Sequence, residues 1–150
     1  MRERFWERFE LEELDKHEWE ALCDGCAQCC MVRLEDEESG DIATLSLSCR
    51  LLDTDACACS DYEHRFERAA GCMQLTPERA RRFHWLPDSC GYRLMARGAP
   101  LPDWHPLISG DPMSVHRAGI SVRGVATSED SVSEADYEDY IIAVLPTPSR

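Results

Sequence analysis

Nine cysteines in a chain of 150 residues are the residues best able to do chemistry, and all lie between positions 23 and 90. The densest run is Cys23-Asp24-Gly25-Cys26-Ala27-Gln28-Cys29-Cys30, followed by Cys49, Cys57, Cys59, Cys72 and Cys90. Two-residue spacing lets a tight turn aim two sulfurs at one centre, and Gly25 supplies the backbone freedom such a turn needs. Three cysteines each separated by two residues can also feed three corners of an iron–sulfur cubane, with the fourth ligand arriving from elsewhere. All nine thiols are therefore candidate ligands for zinc or iron, an iron–sulfur cluster included, in one or two centres. Spacing does not assign which cysteines share a centre.

Adjacent α-carbons stand about 3.8 Å apart, below the roughly 4.4 Å lower limit of unstrained disulfides. The sulfurs of Cys29 and Cys30 are thus expected to diverge rather than pair. Cys57 and Cys59 pose the same choice, and alternating side chains on an extended backbone are expected to point these two apart as well. Arg33, Arg50, Arg65 and Arg68 could offset the negative charge that four thiolates leave on a dication. The competing reading is that the cysteines pack as small hydrophobes, but packing does not require a C-x-x-C-x-x-C-C run.

Composition narrows the setting. Hydrophobic residues make up 43% and charged residues 30% of the chain, an ordinary globular balance, and the length suits one domain with a real core. Net charge is −13 and the basic residues look scattered along the chain, so neither nucleic acid nor an anionic membrane is expected as a partner. A metal ion is the expected partner; a basic protein partner stays open, with none identified. The N-terminal segment lacks the apolar run and cleavage site of a secretory signal. A cytosolic location follows as the expectation, and thiols there stay reduced. An odd cysteine count agrees with that.

The elements that must position these thiols are partly readable. Phe5, Trp6, Phe9, Leu11 and Leu14 recur at helical spacing, and Asp15 with Glu18 resembles a capping box opening a second helix through Leu22. The acidic stretch 35–41 reads as a turn, and Ile42 to Ser48 as a strand. Thr76-Pro77-Glu78 is a helix start, with the helix stopping before Pro87. A further short helix is expected from Asp88 to Gly98, carrying Cys90 on its first turn. Residues 99–119 read as ordered loop, 120–125 as a short strand, and 133–145 as a final helix. No internal repeat or linker appears.

Other side chains have plainer explanations. Trp6, Trp19, Trp85 and Trp104 read as core and loop anchors, and His17, His64 and His84 as surface or capping residues. His105 and His116 could be ligands or general acid–base groups, but fixing irregular backbone by hydrogen bonds explains them more simply. Asp111 and Ser114 near His116 are weak evidence for a triad, which forms in space. The acidic runs read as solvated faces.

The segments LCDGCAQCC, CRLLD, CACSDY, LTPERA, WLPDSCGYRL, WHPLISGDPMSVH and ISVRG resemble the YcgN-type family of uncharacterised bacterial proteins. That family sits within the broader CxxCxxCC, or YkgJ-type, zinc- or iron-chelating group, and the resemblance runs over residues 5 to 142. It implies that Cys23, Cys26, Cys29 and Cys30 are the group signature and that Cys49, Cys57 and Cys72 match cysteines shared with the group. Cys59 and Cys90 look specific to the YcgN type. No substrate is implied.

The expectation is one metal-stabilised α+β domain over residues 1–150, with terminal helices around a cysteine-ligated, loop-rich centre at 23–90 and a short sheet. Its expected role is cytosolic metal binding. The alternatives are an iron–sulfur enzyme or electron carrier, and an acidic interaction module built on a structural metal.

Overall fold

The computed structural model describes residues 1–69, 72, 74–83 and 86–145, which fall into two units: residues 1–26 with 75–121, and residues 27–74 with 122–150. In chain order the helices are α1 (Phe5–Arg8), α2 (Lys16–Ala21), α3 (Arg65–Arg68), α4 (Pro77–Arg82), α5 (Gly91–Ala96), α6 (Pro106–Ser109) and α7 (Ser114–Arg117). The strands are β1 (Met31–Glu35), β2 (Ile42–Ser48), β3 (Leu52–Asp53), β4 (Ala58–Cys59), β5 (Thr127–Ser128) and β6 (Ile141–Leu145). The class is α+β, as expected. No helix among the described residues is long and apolar enough to cross a membrane.

The first unit is helical. The expected opening helix breaks after α1, because Phe9 and Glu10 are extended and a 3-10 turn, Leu11–Glu13, restarts behind a capping box. Glu13 accepts the Glu10 amide at 2.8 Å, so a side chain takes the place of the helical carbonyl. The second capping box is present: Asp15 accepts the Glu18 amide at 2.8 Å and Glu18 accepts the Asp15 amide at 3.0 Å. Glu18 is buried and also binds the Arg2 guanidinium at 2.7 Å, which pins the chain start over α2. Thr76 caps α4 through the Arg79 amide at 3.2 Å, with Pro77 opening the helix. Residues 99–119, expected as loop, contain α6 and α7, each a single turn.

Phe5, Leu11, Leu22, Ala80, Tyr92 and Met95 form the core of this unit, with Trp6 and Trp19 packed against it. Each large apolar side chain buried here contributes about 1.5–3 kcal/mol. The Tyr92 hydroxyl donates to the Trp19 carbonyl at 2.7 Å, so its polar tip is satisfied. Trp85 and His84 lie outside the described residues.

The second unit is built on β2, which pairs antiparallel with β1 and with β6 and parallel with β5. The β1–β2 turn is the acidic stretch: Asp36 accepts the Glu38 and Ser39 amides at 2.8 and 2.9 Å, and Gly40 takes φ +75°. β3 and β4 form a small hairpin with Leu52 opposite Cys59. Two expectations are corrected. Residues 133–145 are not a helix but a 3-10 stretch, Glu134–Tyr140, followed by β6. The run Ile141-Ile142-Ala143-Val144 is rich in β-branched residues that pay side-chain entropy in a helix and pack well in a strand. Residues 120–125 are not a strand but a turn in which the Val122 carbonyl accepts two amides at 2.9 Å, with Gly124 at φ +81°.

Candidate metal centre

The cysteines divide between the two units, and each set has its own backbone supports. In the first unit, α2 delivers Leu22 and then Cys23, whose amide bonds the Glu20 carbonyl at 3.3 Å. Asp24 is buried. One of its oxygens accepts the Cys26 amide at 2.9 Å, which closes the C-x-x-C turn, and Gly25 sits at φ +83°, a conformation L side chains disfavour. Cys26 is buried, Cys23 exposed. Cys90 caps α5 and packs against the core of the unit.

His105 lies behind this turn with no exposed surface. Its Nδ1 accepts the Leu107 amide at 3.0 Å, so its Nε2 carries the proton donated to the Leu22 carbonyl at 2.9 Å. Burial holds its pKa below the ordinary histidine value. The ring therefore fixes the carbonyl one residue before Cys23. Gly91 faces the same carbonyl: a Cβ there would stand 2.2 Å from the Leu22 oxygen and 3.1 Å from His105 Nε2. His116 bonds Ser121 Oγ at 2.7 Å.

In the second unit, Ala27 at φ +61° starts a 3-10 turn, Gln28–Cys30. Arg33 reaches back over it and donates to the carbonyls of Gln28 (2.7 Å), Cys29 (3.2 Å) and Met31 (2.9 Å). The Cys49 amide bonds the Cys30 carbonyl at 2.8 Å, tying the turn to the end of β2. Cys59 lies on β4 opposite Leu52, which itself bonds back to Cys49 at 2.9 Å. Cys72 bonds Ala69, just beyond α3, at 3.0 Å.

The thiols of this set feel one another. The Cys29 and Cys30 sulfurs do not diverge as expected: a hydrogen bond between the two side chains holds the Cys29 thiol well above the ordinary thiol pKa. Burial raises the Cys72 thiol, Arg65 opposes that, and charge at Cys49, Cys59 and Cys29 raises it further. Cys57 stands apart. At φ +55°, its side chain enters the core with Ala27, Met31, Leu52 and Val122 and its thiol donates to the Thr54 carbonyl at 3.8 Å. Strand alternation does not separate Cys57 from Cys59, because positions two apart in a strand share a face; Cys57 lies outside β4 and takes a left-handed conformation instead.

The donor chemistry fits a thiophilic cation. None of the nine cysteines is in a disulfide. The second carboxylate oxygen of Asp24 is buried with no hydrogen-bond partner among the described residues, an anionic acceptor with unspent lone pairs inside the C-x-x-C turn. Such an atom is costly unless a donor or cation meets it. Among the described residues, no three His, Cys, Asp or Glu side chains are already closed into a ligand set. The backbone gathers thiols into two neighbourhoods; it does not by itself set their final geometry. Reading the sequence for ligands alone missed Asp24 and Gly91, and gave Arg33 a charge-offsetting role rather than its hold on three carbonyls. The acid inside C-x-x-C and the glycine directly after Cys90 were the available signals.

A small α+β protein with thiol-rich turns is the class that fold and site define. Residues 22–91 match the family described as "CxxCxxCC: Putative zinc- or iron-chelating domain". The chain is 58% identical over 150 residues to a UPF0260 protein of Rhodopseudomonas palustris, covering 97% of this chain and 88% of that one. It is 54% identical to one from Nitrobacter hamburgensis (91% and 81% covered) and 51% identical to one from Marinobacter nauticus (92% and 93%). The chain belongs to the UPF0260 family. No solved structure matches it.

Proposed function

We propose that this protein holds zinc or an iron–sulfur cluster through its cysteines in the cytosol, with the thiols of the second unit as its best-supported centre. The observation that carries this is the backbone that gathers them: the Cys49 amide bonds the Cys30 carbonyl at 2.8 Å, and Leu52, paired with Cys59, bonds back to the Cys49 carbonyl at 2.9 Å. Cys23, Cys26 and Cys90 supply further thiolates, with Asp24 as an oxygen donor beside the first two. Cys57 is assigned to packing, since its side chain belongs to a hydrophobic core.

The chain's own residues do the positioning. Arg33 holds three carbonyls of the Cys29–Cys30 turn, the Cys30–Cys49 amide bond sets the turn against β2, and the β3–β4 hairpin presents Cys59. Arg65 brings positive charge to Cys72, which favours its thiolate. Bound metal would supply folding free energy to a region made of one-turn helices and two-residue strands. The free thiols suit a reducing compartment.

The test is metal content and thermal stability of Cys49→Ser, Cys72→Ser and Cys57→Ser proteins. The first two should lose metal and stability together, while Cys57→Ser keeps its metal and loses stability only. Full metal content in both Cys49→Ser and Cys72→Ser would overturn the proposal.

A further inference from the structure

We propose that the cleft between α4 and α5 is a binding site for a small, multiply charged anion of the phosphoryl class. This cavity, about 320 Å³, lies wholly within the first unit. In a chain of net charge −13, it is lined by Arg81, Arg82, Arg93 and Arg97 and by no acidic residue. Four of the sixteen basic residues thus meet at one place in the fold. Ala80, Phe83 and Ala96 complete the lining.

The guanidiniums are oriented before any ligand arrives. Arg81 pairs with Glu12, Arg82 with Glu78 at 3.2 Å, Arg93 with Asp88 at 3.2 Å, and Arg97 with the same Asp88 at 3.8 Å. Arg93 also donates to the Leu86 carbonyl, and its side chain is only 16% exposed. The paired acids stand outside the cavity lining and are largely solvated, with Asp88 87% and Glu78 77% exposed. Exposed pairs of this kind are weak and exchange readily. They balance much of the arginine charge from outside the lining, so an incoming anion must displace them to gain it.

The charge of the ligand follows from this competition. The protein's own carboxylates are tethered beside the arginines at high effective concentration. A ligand that displaces them must offer more charge on a compact group than another single carboxylate does. A phosphoryl group carries about −1.5 to −2 near neutrality and presents three acceptor oxygens, and the guanidinium fork matches it in two-point contacts. The volume holds a diphosphate and leaves room along Phe83.

The experiment is calorimetric titration of the full-length protein, as purified with its metal, with inorganic pyrophosphate, orthophosphate and citrate at about 50 mM salt, where screening is modest. Pyrophosphate should bind one per chain. Each charged hydrogen bond lost should weaken it about tenfold or more. Arg82→Gln and Arg97→Gln alter solvated side chains, so the double variant keeps its fold and metal content and should bind pyrophosphate about a hundredfold more weakly. Orthophosphate binding as tightly as pyrophosphate would assign the site to free phosphate; a clear preference for pyrophosphate assigns it to a ligand carrying linked phosphoryl groups. Citrate binding as tightly as pyrophosphate would overturn the phosphoryl class. Absence of pyrophosphate binding at millimolar concentration, or equal binding by the double variant, would overturn the site itself.

Discussion

Replacing Gly91 by alanine should destabilise the protein, against the ordinary preference of helices. Gly91 opens α5, and alanine in a helix is normally favoured over glycine by about 0.8–1 kcal/mol. Here the new Cβ would lie 2.2 Å from the Leu22 oxygen and 3.2 Å from its carbonyl carbon, whereas carbon contacts settle near about 3.5 Å. The obstacle is backbone, so Leu22 must retreat by about 1 Å, and its bond to His105 Nε2 at 2.9 Å breaks. Leu22 and His105 both have 0% exposed surface, so water cannot replace the lost partner. Overpacking costs about 1–3 kcal/mol, and an unsatisfied buried donor or acceptor about 1–3 kcal/mol more. After the helical gain the net loss is about 1–5 kcal/mol, or about 2–20 °C in melting temperature for a chain of this size. Circular dichroism melts of Gly91→Ala beside the parent measure it directly. A variant that melts at or above the parent temperature would refute the close approach of α5 to Leu22.

Three further perturbations follow from the same geometry. His105→Ala removes both ring hydrogen bonds and leaves a cavity, and should cost about 3–5 kcal/mol by chemical denaturation; because burial lowers the His105 pKa, the parent should also lose stability as pH falls below about 6.5, a dependence the variant lacks. Glu18 is held at about 2, below its usual 4.5, chiefly by the Arg2 guanidinium. The stability it contributes is fully present above pH 4.5 and is lost as pH falls toward 2, so a Glu18→Gln protein should show a flatter acid profile in pH-dependent melts. Arg33→Ala frees the Gln28, Cys29 and Met31 carbonyls and should cost about 1–2 kcal/mol, with faster amide exchange in residues 27–35; unchanged exchange there would mean the arginine does not hold the turn.

How far the fold could be read in advance depended on whether the signal was local. Thr76-Pro77 and the Asp15–Glu18 capping box are local chemistry, and both helices start where those residues place them. β2 was legible because alternation over seven residues is long enough to register. The β3–β4 hairpin was not, since two-residue strands carry no period and their pairing is set by Leu52 meeting Cys59 across the turn. In the final segment, a capping serine and acidic first turn argued for helix, while Ile141 to Leu145 found a sheet edge beside β2; tertiary pairing overrode the local start signal. The cysteines announced a thiol-rich centre by type and spacing. Their grouping was illegible, because it rests on backbone bonds such as Cys49 to Cys30 and on Cys57 turning into a core. Asp24 passed as a spacer for a similar reason: only burial shows that one of its oxygens is unspent.

Elemental analysis joined to an absorption spectrum tests the central claim most directly, on protein purified without oxygen and without an affinity metal column. The account predicts zinc in near-integer ratio to a colourless chain, or iron with matching acid-labile sulfide and a brown colour. Protein that is folded and carries neither metal in stoichiometric amount would contradict it.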